Sequence, residues 1–298
     1  MRPIATMNLD HLIGRQVGTC VILKELARGG MGVVFIAYQK TLKRQIAVKI
    51  LPKSLLTPTN AEFFRQEAEA AAILSHPNII PVYEVGDTKE FLFFTMQLVN
   101  GRSLEYYIKK AKRNPIPSRR ALPIKVSIRI IIDVLDALEY AHQQDIIHRD
   151  VKPANILIEK HTKRPILMDF GVAKIARGPD ASDSLILGTP SYMAPEQITN
   201  ENIDGRVDIY AAGTMLFEML SPESIFPSVK SSMELLRMKV KMGNRFFTKK
   251  PSELNPRLKP VMDDILLRAV AYDPDKRFRS CKEFQSQLKD YLKQFCGD

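Results

Sequence analysis

Cysteine is scarce in this chain of 298 residues: Cys20, Cys281 and Cys296 are the whole complement. An odd, scattered set has neither the even count of a disulfide framework nor the paired spacing of a zinc site, so reduced thiols in a reducing compartment are expected. Long apolar runs are missing too. No stretch reaches the roughly 18 uninterrupted apolar residues of a membrane-crossing helix, and the opening MRPIATMNLDHLIG lacks the apolar core of a secretory leader. The 14 Gly and 19 Pro follow no period, which excludes collagen-like and low-complexity chains, and no internal repeat is visible. The pattern GxxxxGK[ST] of phosphate-binding P-loops does not occur.

What is present is ordinary globular usage, 45% apolar and 26% charged, at a length that suits two domains of ~150 residues or one large domain in two lobes. Lys and Arg outnumber Asp and Glu by 44 to 33, a net charge of +11 that could serve nucleic acid, anionic lipid or phosphorylated ligands. Part of the excess lies in KKAKRNPIPSRR, from Lys109 to Arg120, which is broken by two prolines. A nucleic-acid surface interleaves aromatics with its cations, and this run has none after Tyr107. It reads as a solvated loop between two elements, and no nucleic-acid partner is expected.

Residues 21–27, 33–38 and 45–51 are β-rich and punctuated by glycines, and HPNIIPVYEVGD and EFLFFTMQLV supply two more strands. Thr59, Asn60, Ala61 and Glu62 have the spacing of a capping box after Pro58, which opens a helix to about Leu74. The expected first unit is a five-stranded antiparallel sheet with one helix. From Ser103 the period becomes helical. In IKVSIRIIIDVLDALEYAHQ, Ile128, Ile131, Ile132, Leu135 and Leu138 share one face, with Ser127, Arg129, Asp133, Asp136 and Gln143 away from it. A loop-rich stretch over 146–197 precedes helices near 207–220, 230–242, 257–271 and 281–294. The fold class is α+β, a small β lobe joined to a larger α-helical lobe.

Three strings carry chemistry. In Leu26-Ala27-Arg28-Gly29-Gly30-Met31-Gly32-Val33-Val34, residues without Cβ let backbone N–H groups come close to phosphate oxygens, although glycines between strands more often just turn a hairpin. Lys49 lies inside an apolar strand, where burial is costly unless it is paired; Glu67 on the helix is the candidate partner, and a lysine snorkelling from an edge strand is the plainer reading. The third string, His148-Arg149-Asp150-Val151-Lys152-Pro153-Ala154-Asn155, is followed by Asp169-Phe170-Gly171. Asp150 could accept a hydroxyl proton, Lys152 could neutralise a phosphoryl group, and Asn155 and Asp169 are hard oxygen donors suited to Mg²⁺. Two acids, an amide and a lysine in that order form a site rather than four separate caps.

With these motifs in order over about residues 18–294, the sequence resembles the eukaryotic-type (Hanks-type) serine/threonine protein kinases, most of all their bacterial branch in ARGGMGVVF, HPNII and GTPSYMAPEQ. The resemblance implies a bilobal domain, with 1–17 as an N-terminal extension, 18–99 as the small lobe and 100–298 as the large one. It implies ATP and Mg²⁺ as cofactors. Gly29, Gly30 and Gly32 would cover the phosphates, with Leu26, Ala27, Arg28, Met31 and Val34 in the same nucleotide-binding loop. Lys49 would hold the α- and β-phosphates while paired to Glu67. Asp150 and Lys152 would act on acceptor and γ-phosphoryl, and Asn155 and Asp169 would bind the metal. Met96 would be the gatekeeper, Gln97 and Val99 would meet the adenine edge through their backbone, and Leu26, Val34, Ala47 and Leu157 would sandwich the ring. Glu196 would pair with Arg277, and Asp208 would be a structural prop.

One departure stands out: Ala27 occupies the first glycine position of the family's GxGxxG, which crowds the turn and is the sole support for a nucleotide-binding module without catalysis. A small-molecule kinase of the same superfamily is disfavoured by GTPSYMAPE, which resembles a protein-substrate platform. Expected partners are proteins with Ser or Thr acceptors and a second copy of the chain for trans-autophosphorylation, with no membrane segment within these residues. The expected location is cytoplasmic, alone or as the cytosolic part of a longer anchored protein. Ala154 disfavours strongly basic substrates. Arg149 and Lys174 would form a cationic pocket for a phosphorylated residue, with Ser182 and Ser184 as candidates and Thr189 as a structural hydrogen-bonding residue. Mass spectrometry after incubation with Mg·ATP should find phosphate within 180–189 in the wild type and not in Asp150→Asn; active enzyme unmodified there would end the autophosphorylation reading.

Overall fold

The computed structural model describes residues 9–29, 32–170, 190–199 and 201–297. Gly30, Met31, Lys174, Ser182, Ser184 and Thr189 lie outside that set, as do residues 1–8 of the N-terminal extension. The small lobe is one antiparallel sheet in the order β1-β2-β3-β4-β6-β5, from β1 (Gln16–Val17), β2 (Cys20–Gly29), β3 (Gly32–Gln39), β4 (Arg44–Pro52), β5 (Val82–Asp87) and β6 (Phe91–Gln97). It has six strands rather than the five expected, because the two residues of β1 are too few to show alternation.

Strand β4 sits in the middle and is buried from Ile46 to Pro52. Successive side chains of a strand point to opposite faces. Ile46, Val48 and Ile50 therefore join the cluster of Cys20, Ile22, Val33, Phe35 and Phe93, while Ala47 and Leu51 join that of Phe64, Ala68, Phe94 and Met96. The second face is the one covered by α1 (Pro58–Ile73), and the alternation places Lys49 on it. The capping box of α1 starts at Thr57, not Thr59. The Thr57 hydroxyl accepts from the Asn60 N–H at 3.2 Å and Asn60 Oδ1 accepts from the Thr57 N–H at 2.7 Å. Pro58 takes the first helical position, where its missing N–H costs nothing, so the cap must precede the proline.

A second sheet joins β7 (Gly101–Ser103) to β8 (Ile156–Glu159) and β9 (Pro165–Leu167), the last two within the stretch that the sequence suggests is loop-rich. Its last strand is stitched to the segment before β5: the Leu167 N–H donates to the Asn78 carbonyl at 2.8 Å and the Ile80 N–H to the Leu167 carbonyl at 2.9 Å. The basic run is not one loop. Lys109–Lys112 end α2 (Leu104–Lys112), and Lys112 turns inward to the carbonyls of Ser221 and Glu223.

The large lobe is built on α3 (Ile124–His142) and α5 (Arg206–Leu220), with α4 (Pro195–Thr199), α6 (Ser232–Met242), α7 (Pro251–Leu254), α8 (Val261–Ala269) and α9 (Cys281–Phe295) around them. Ile128, Ile131, Leu135 and Leu138 of α3 are buried as the period requires. Ser127 is buried too, contrary to its polar character; its hydroxyl donates to the Pro123 carbonyl one turn back at 3.0 Å, which satisfies it internally. Helix α5 is buried on nearly every side, and at Gly213 a Cβ would come within 2.6 Å of the Ala269 Cβ, so α5 and α8 cross at a distance only glycine permits. All three cysteines are free thiols, and among the described residues no helix is long and apolar enough to cross a membrane.

Glu196 and Arg277 form a buried fork, with Nη1–Oε1 at 2.6 Å and Nη2–Oε2 at 2.8 Å. The guanidinium also donates to the carbonyls of Ala271, Arg206 and Tyr272 and stands 4.8 Å from the Tyr210 ring centroid. Removing one partner strands a desolvated charge. Arg277→Met should lower unfolding free energy by about 3–5 kcal/mol in urea denaturation; a loss under about 1 kcal/mol, the range of exposed pairs, would show that the site admits water.

Candidate active site

The alternation of β4 and the helical turn of α1 bring Lys49 and Glu67 together, with Nζ–Oε1 at 2.5 Å. Both residues are buried. The same ammonium reaches Asp169 Oδ1 at 3.2 Å, and lies 5.5 Å from the Phe94 ring centroid. Burial alone would discharge Lys49, but the Asp169 and Glu67 carboxylates outweigh it and hold the ammonium well above its ordinary range. Burial pushes Glu67 up, against the pull of Lys49 and with the added repulsion of Asp169, because two carboxylates share one cation.

Beneath this bridge the segment 148–155 folds on itself. Lys152 Nζ donates to both Asp150 oxygens, at 3.0 and 2.8 Å. Asn155 Nδ2 donates to the Asp150 carbonyl at 2.9 Å and to Asp150 Oδ2 at 3.1 Å. Both bonds leave from the amide nitrogen, so Oδ1 is the atom that Asn155 can offer a hard cation. The Asn155 carbonyl accepts from the Met168 N–H at 2.9 Å, which fixes this loop against the residue preceding Asp169. Arg149 and Asp169 both adopt left-handed backbone, with φ of 62° and 59°, a conformation that neighbours must enforce in residues with a Cβ.

Asp208 at the head of α5 is the enforcer for Arg149. Fully buried, it accepts from the N–H groups of His148 at 2.9 Å and Arg149 at 2.8 Å, and meets His142 Nε2 at 2.8 Å. His148 completes the frame. Its Nδ1 accepts from the Asp150 N–H at 3.2 Å, so Nε2 carries the proton donated to the Met168 carbonyl at 3.1 Å. Gln197 Nε2 donates to the Arg149 carbonyl at 3.0 Å while Oε1 takes the Ala194 N–H at 2.9 Å, which joins α4 to the same loop. Sequence reasoning gave neither His142, His148 nor Gln197 a role; the signal available for Gln197 was its place directly after Ala194-Pro195-Glu196. Arg149 Nε is buried without a hydrogen-bond partner among the described residues.

The expected nucleotide-contacting residues fall into two groups. Val34, Ala47, Met96 and Val99 share one apolar cluster beside α1, whereas Leu26 is exposed on β2 and Leu157 is half-buried on β8. Gln97 ends β6, and its N–H is committed to the Pro81 carbonyl at 3.1 Å. Gly32, with φ of +139°, is a position where a Cβ would lie 2.6 Å from the Ile50 carbonyl, while at Gly29 the space is open. Arg28 is bound to Glu25 at 2.6 Å. Ala27 pairs with Val34 just past a bulge in β2 and has no left-handed backbone, so the strand does not need a glycine there. Among the described residues no three His, Cys, Asp or Glu side chains cluster to cage an ion. The Asp169 carboxylate and Asn155 Oδ1 are a small set of hard oxygens, the kind that Mg²⁺ takes one or two of while keeping several waters.

Burial opposes the His142 imidazolium, but the hydrogen bond and charge of Asp208 prevail and raise its pKa above the ordinary 6.5. Burial likewise opposes the Asp208 carboxylate, which His142 and the His148 N–H hold below the ordinary 3.8. A histidine raised on folding contributes stability in full below its unfolded pKa and loses it as pH climbs through the folded value; a lowered aspartate contributes above its unfolded pKa and loses it on acidification. The stability difference between wild type and His142→Gln should therefore be largest near about pH 6 and shrink toward about pH 9 in chemical denaturation. A difference independent of pH would mean that the imidazole is neutral in the fold.

The family model of the protein kinase domain matches residues 20–288. A probable serine/threonine-protein kinase of Streptomyces coelicolor is 34% identical over 90% of this chain and 39% of its own length. Serine/threonine-protein kinase PknB of Mycolicibacterium smegmatis is 35% identical over 88% of this chain and 41% of its own. The chain thus spans about two fifths of the length of these relatives. In three dimensions it is similar to the kinase domain of PknI from Mycobacterium tuberculosis, with a TM-score of 0.71, 27% identity, and coverage of 93% of this chain and 98% of that one. With the family model matching residues 20–288 and relatives of about one-third identity along most of its length, the chain belongs to the protein kinase domain family.

Proposed function

We propose that this chain is a serine/threonine protein kinase, which transfers the γ-phosphoryl group of Mg·ATP to hydroxyls of protein substrates and of its own segment 180–189. The convergence of Lys49 on Glu67 and Asp169 is the observation that carries the reading. A buried ammonium shared by two carboxylates from separate elements is costly to desolvate and marks a functional candidate, and once a divalent cation offsets the carboxylates it suits a polyphosphate. The relatives named serine/threonine-protein kinase support the acceptor class.

In this reading Lys49 orients the α- and β-phosphates while Glu67 keeps its Nζ in place. Asp169 and Asn155 Oδ1 would hold Mg²⁺, which would supply positive charge against the phosphate oxygens. Asp150 takes the hydrogen bond of the acceptor hydroxyl and accepts its proton late. Lys152, bound to both Asp150 oxygens, keeps that carboxylate aimed and meets the charge that develops on the transferred group. Val34, Ala47, Met96 and Val99 offer an apolar wall to a base, with Leu26 and Leu157 closing over it. The ordinary strand conformation at Ala27 favours catalysis over a merely nucleotide-binding module. Arg149 would receive a phosphorylated residue together with Lys174.

Lys49→Met should reduce phosphate transfer from radiolabelled Mg·ATP to casein by at least about 10²-fold, the scale of a lost transition-state electrostatic contact. Its circular dichroism should match the wild type. Undiminished transfer would refute the assigned site, and wild-type protein inactive with and without Mg²⁺ would refute the activity itself.

A further inference from the structure

Helix α6 presents an apolar stripe of Leu235, Leu236 and, one turn on, Lys239, which is only 1% exposed. A lysine on such a stripe is expected to find a carboxylate, and this one does not: both oxygens of nearby Glu196 are held by Arg277. Its Nζ instead donates to three backbone carbonyls of one short turn, Pro190 at 3.2 Å, Ser191 at 2.8 Å and Met193 at 2.7 Å. The rings of Tyr210 and Phe246, with centroids 5.1 and 5.3 Å away, flank the ammonium.

Three acceptors need three donors, and a neutral amine has only two N–H bonds, so the arrangement calls for the charged form. Burial, with the Arg277 charge alongside, lowers the ammonium to about 7 against the pull of Glu196. The dependence is mutual. Carbonyl dipoles turned toward one point repel each other and lose water, and a cation between them removes both penalties. The turn at 190–193 therefore owes its shape to a side chain 46 or more residues away. The same turn runs into α4, where Gln197 grips the Arg149 carbonyl next to Asp150.

We propose that Lys239 is a positioning residue for the protein acceptor: its ammonium gathers the carbonyls of 190–193, the turn that runs into α4 and meets the Arg149 carbonyl through Gln197, and so shapes the approach to Asp150. The proposal rests on the kinase reading above and adds to it which residue shapes the acceptor side. Lys239 touches neither nucleotide-handling residue nor acceptor, so its loss should separate the two half-sites.

The test compares wild type, Lys239→Met and Lys239→Gln, with Mg·ATP and casein as probes. In Lys239→Met the KM for casein should rise about tenfold, the factor of roughly one lost charge-assisted hydrogen bond, with an intermediate value for Lys239→Gln, which keeps two donors. The KM for ATP and the rate of ATP hydrolysis without acceptor should stay within about twofold. An unchanged casein KM, or a parallel fall of transfer and hydrolysis, would overturn the positioning role. Wild type that neither hydrolyses ATP nor modifies casein would instead indict the kinase reading. Should the variants fail to fold, hydrogen exchange on the wild type decides: casein should slow exchange within 190–199, and unaltered exchange there would sink the proposal.

Discussion

A single buried carboxylate sets the geometry of everything beneath the sheet. Asp208 is fully buried, and two of the hydrogen bonds it accepts come from the backbone N–H groups of His148 and Arg149. A buried carboxylate left unsatisfied is costly, so these two N–H bonds help to hold Arg149 in its left-handed twist. The twist aims Asp150 at Lys152 and Asn155. A carboxylate that never meets a substrate thus decides where the reactive one points, and α5, the most buried helix of the large lobe, is the mount that keeps it still.

The two halves of the site solve the problem of charge differently. Above, one ammonium serves Glu67 and Asp169, leaving an excess of negative charge that a divalent cation would relieve. Below, Asp150 is matched by a lysine two residues away, a pair that is local in sequence and held in place by the loop that Asp208 anchors. The fork of Glu196 and Arg277 is a third solution, fully desolvated and bidentate, and it ties the stretch before α5 to the loop before α9.

Much of this was legible in the sequence because it rests on side chains meeting side chains at readable periods. The alternation of β4 put Lys49 on the helix-facing side, and Asp150, Lys152 and Asn155 lie within six consecutive positions. What stayed hidden rests on backbone. Lys239 is recognised by carbonyl groups, which every residue carries and no composition betrays, and the N–H groups that Asp208 accepts are equally silent even where the resemblance names Asp208 itself as a prop. Thr57 was passed over because its neighbour Thr59 has the same cap chemistry, and only the fixed position of Pro58 separates them. Ser127 was misplaced because a hydroxyl that bonds its own helix is apolar toward its neighbours. Strand β1 is too short for any period to register.

The crossing of α5 and α8 at Gly213 carries a consequence for how such a domain can drift over evolutionary time. With the Ala269 methyl seated where a side chain at 213 would begin, the two helices share one van der Waals envelope. Neither residue can grow unless the other shrinks, and Gly213 is already at the floor. Divergence on this axis must proceed by moving whole helices, and α5 cannot shift without dragging the loop that hangs from its first turn. A close crossing in the hydrophobic interior is in this way mechanically geared to the catalytic apparatus.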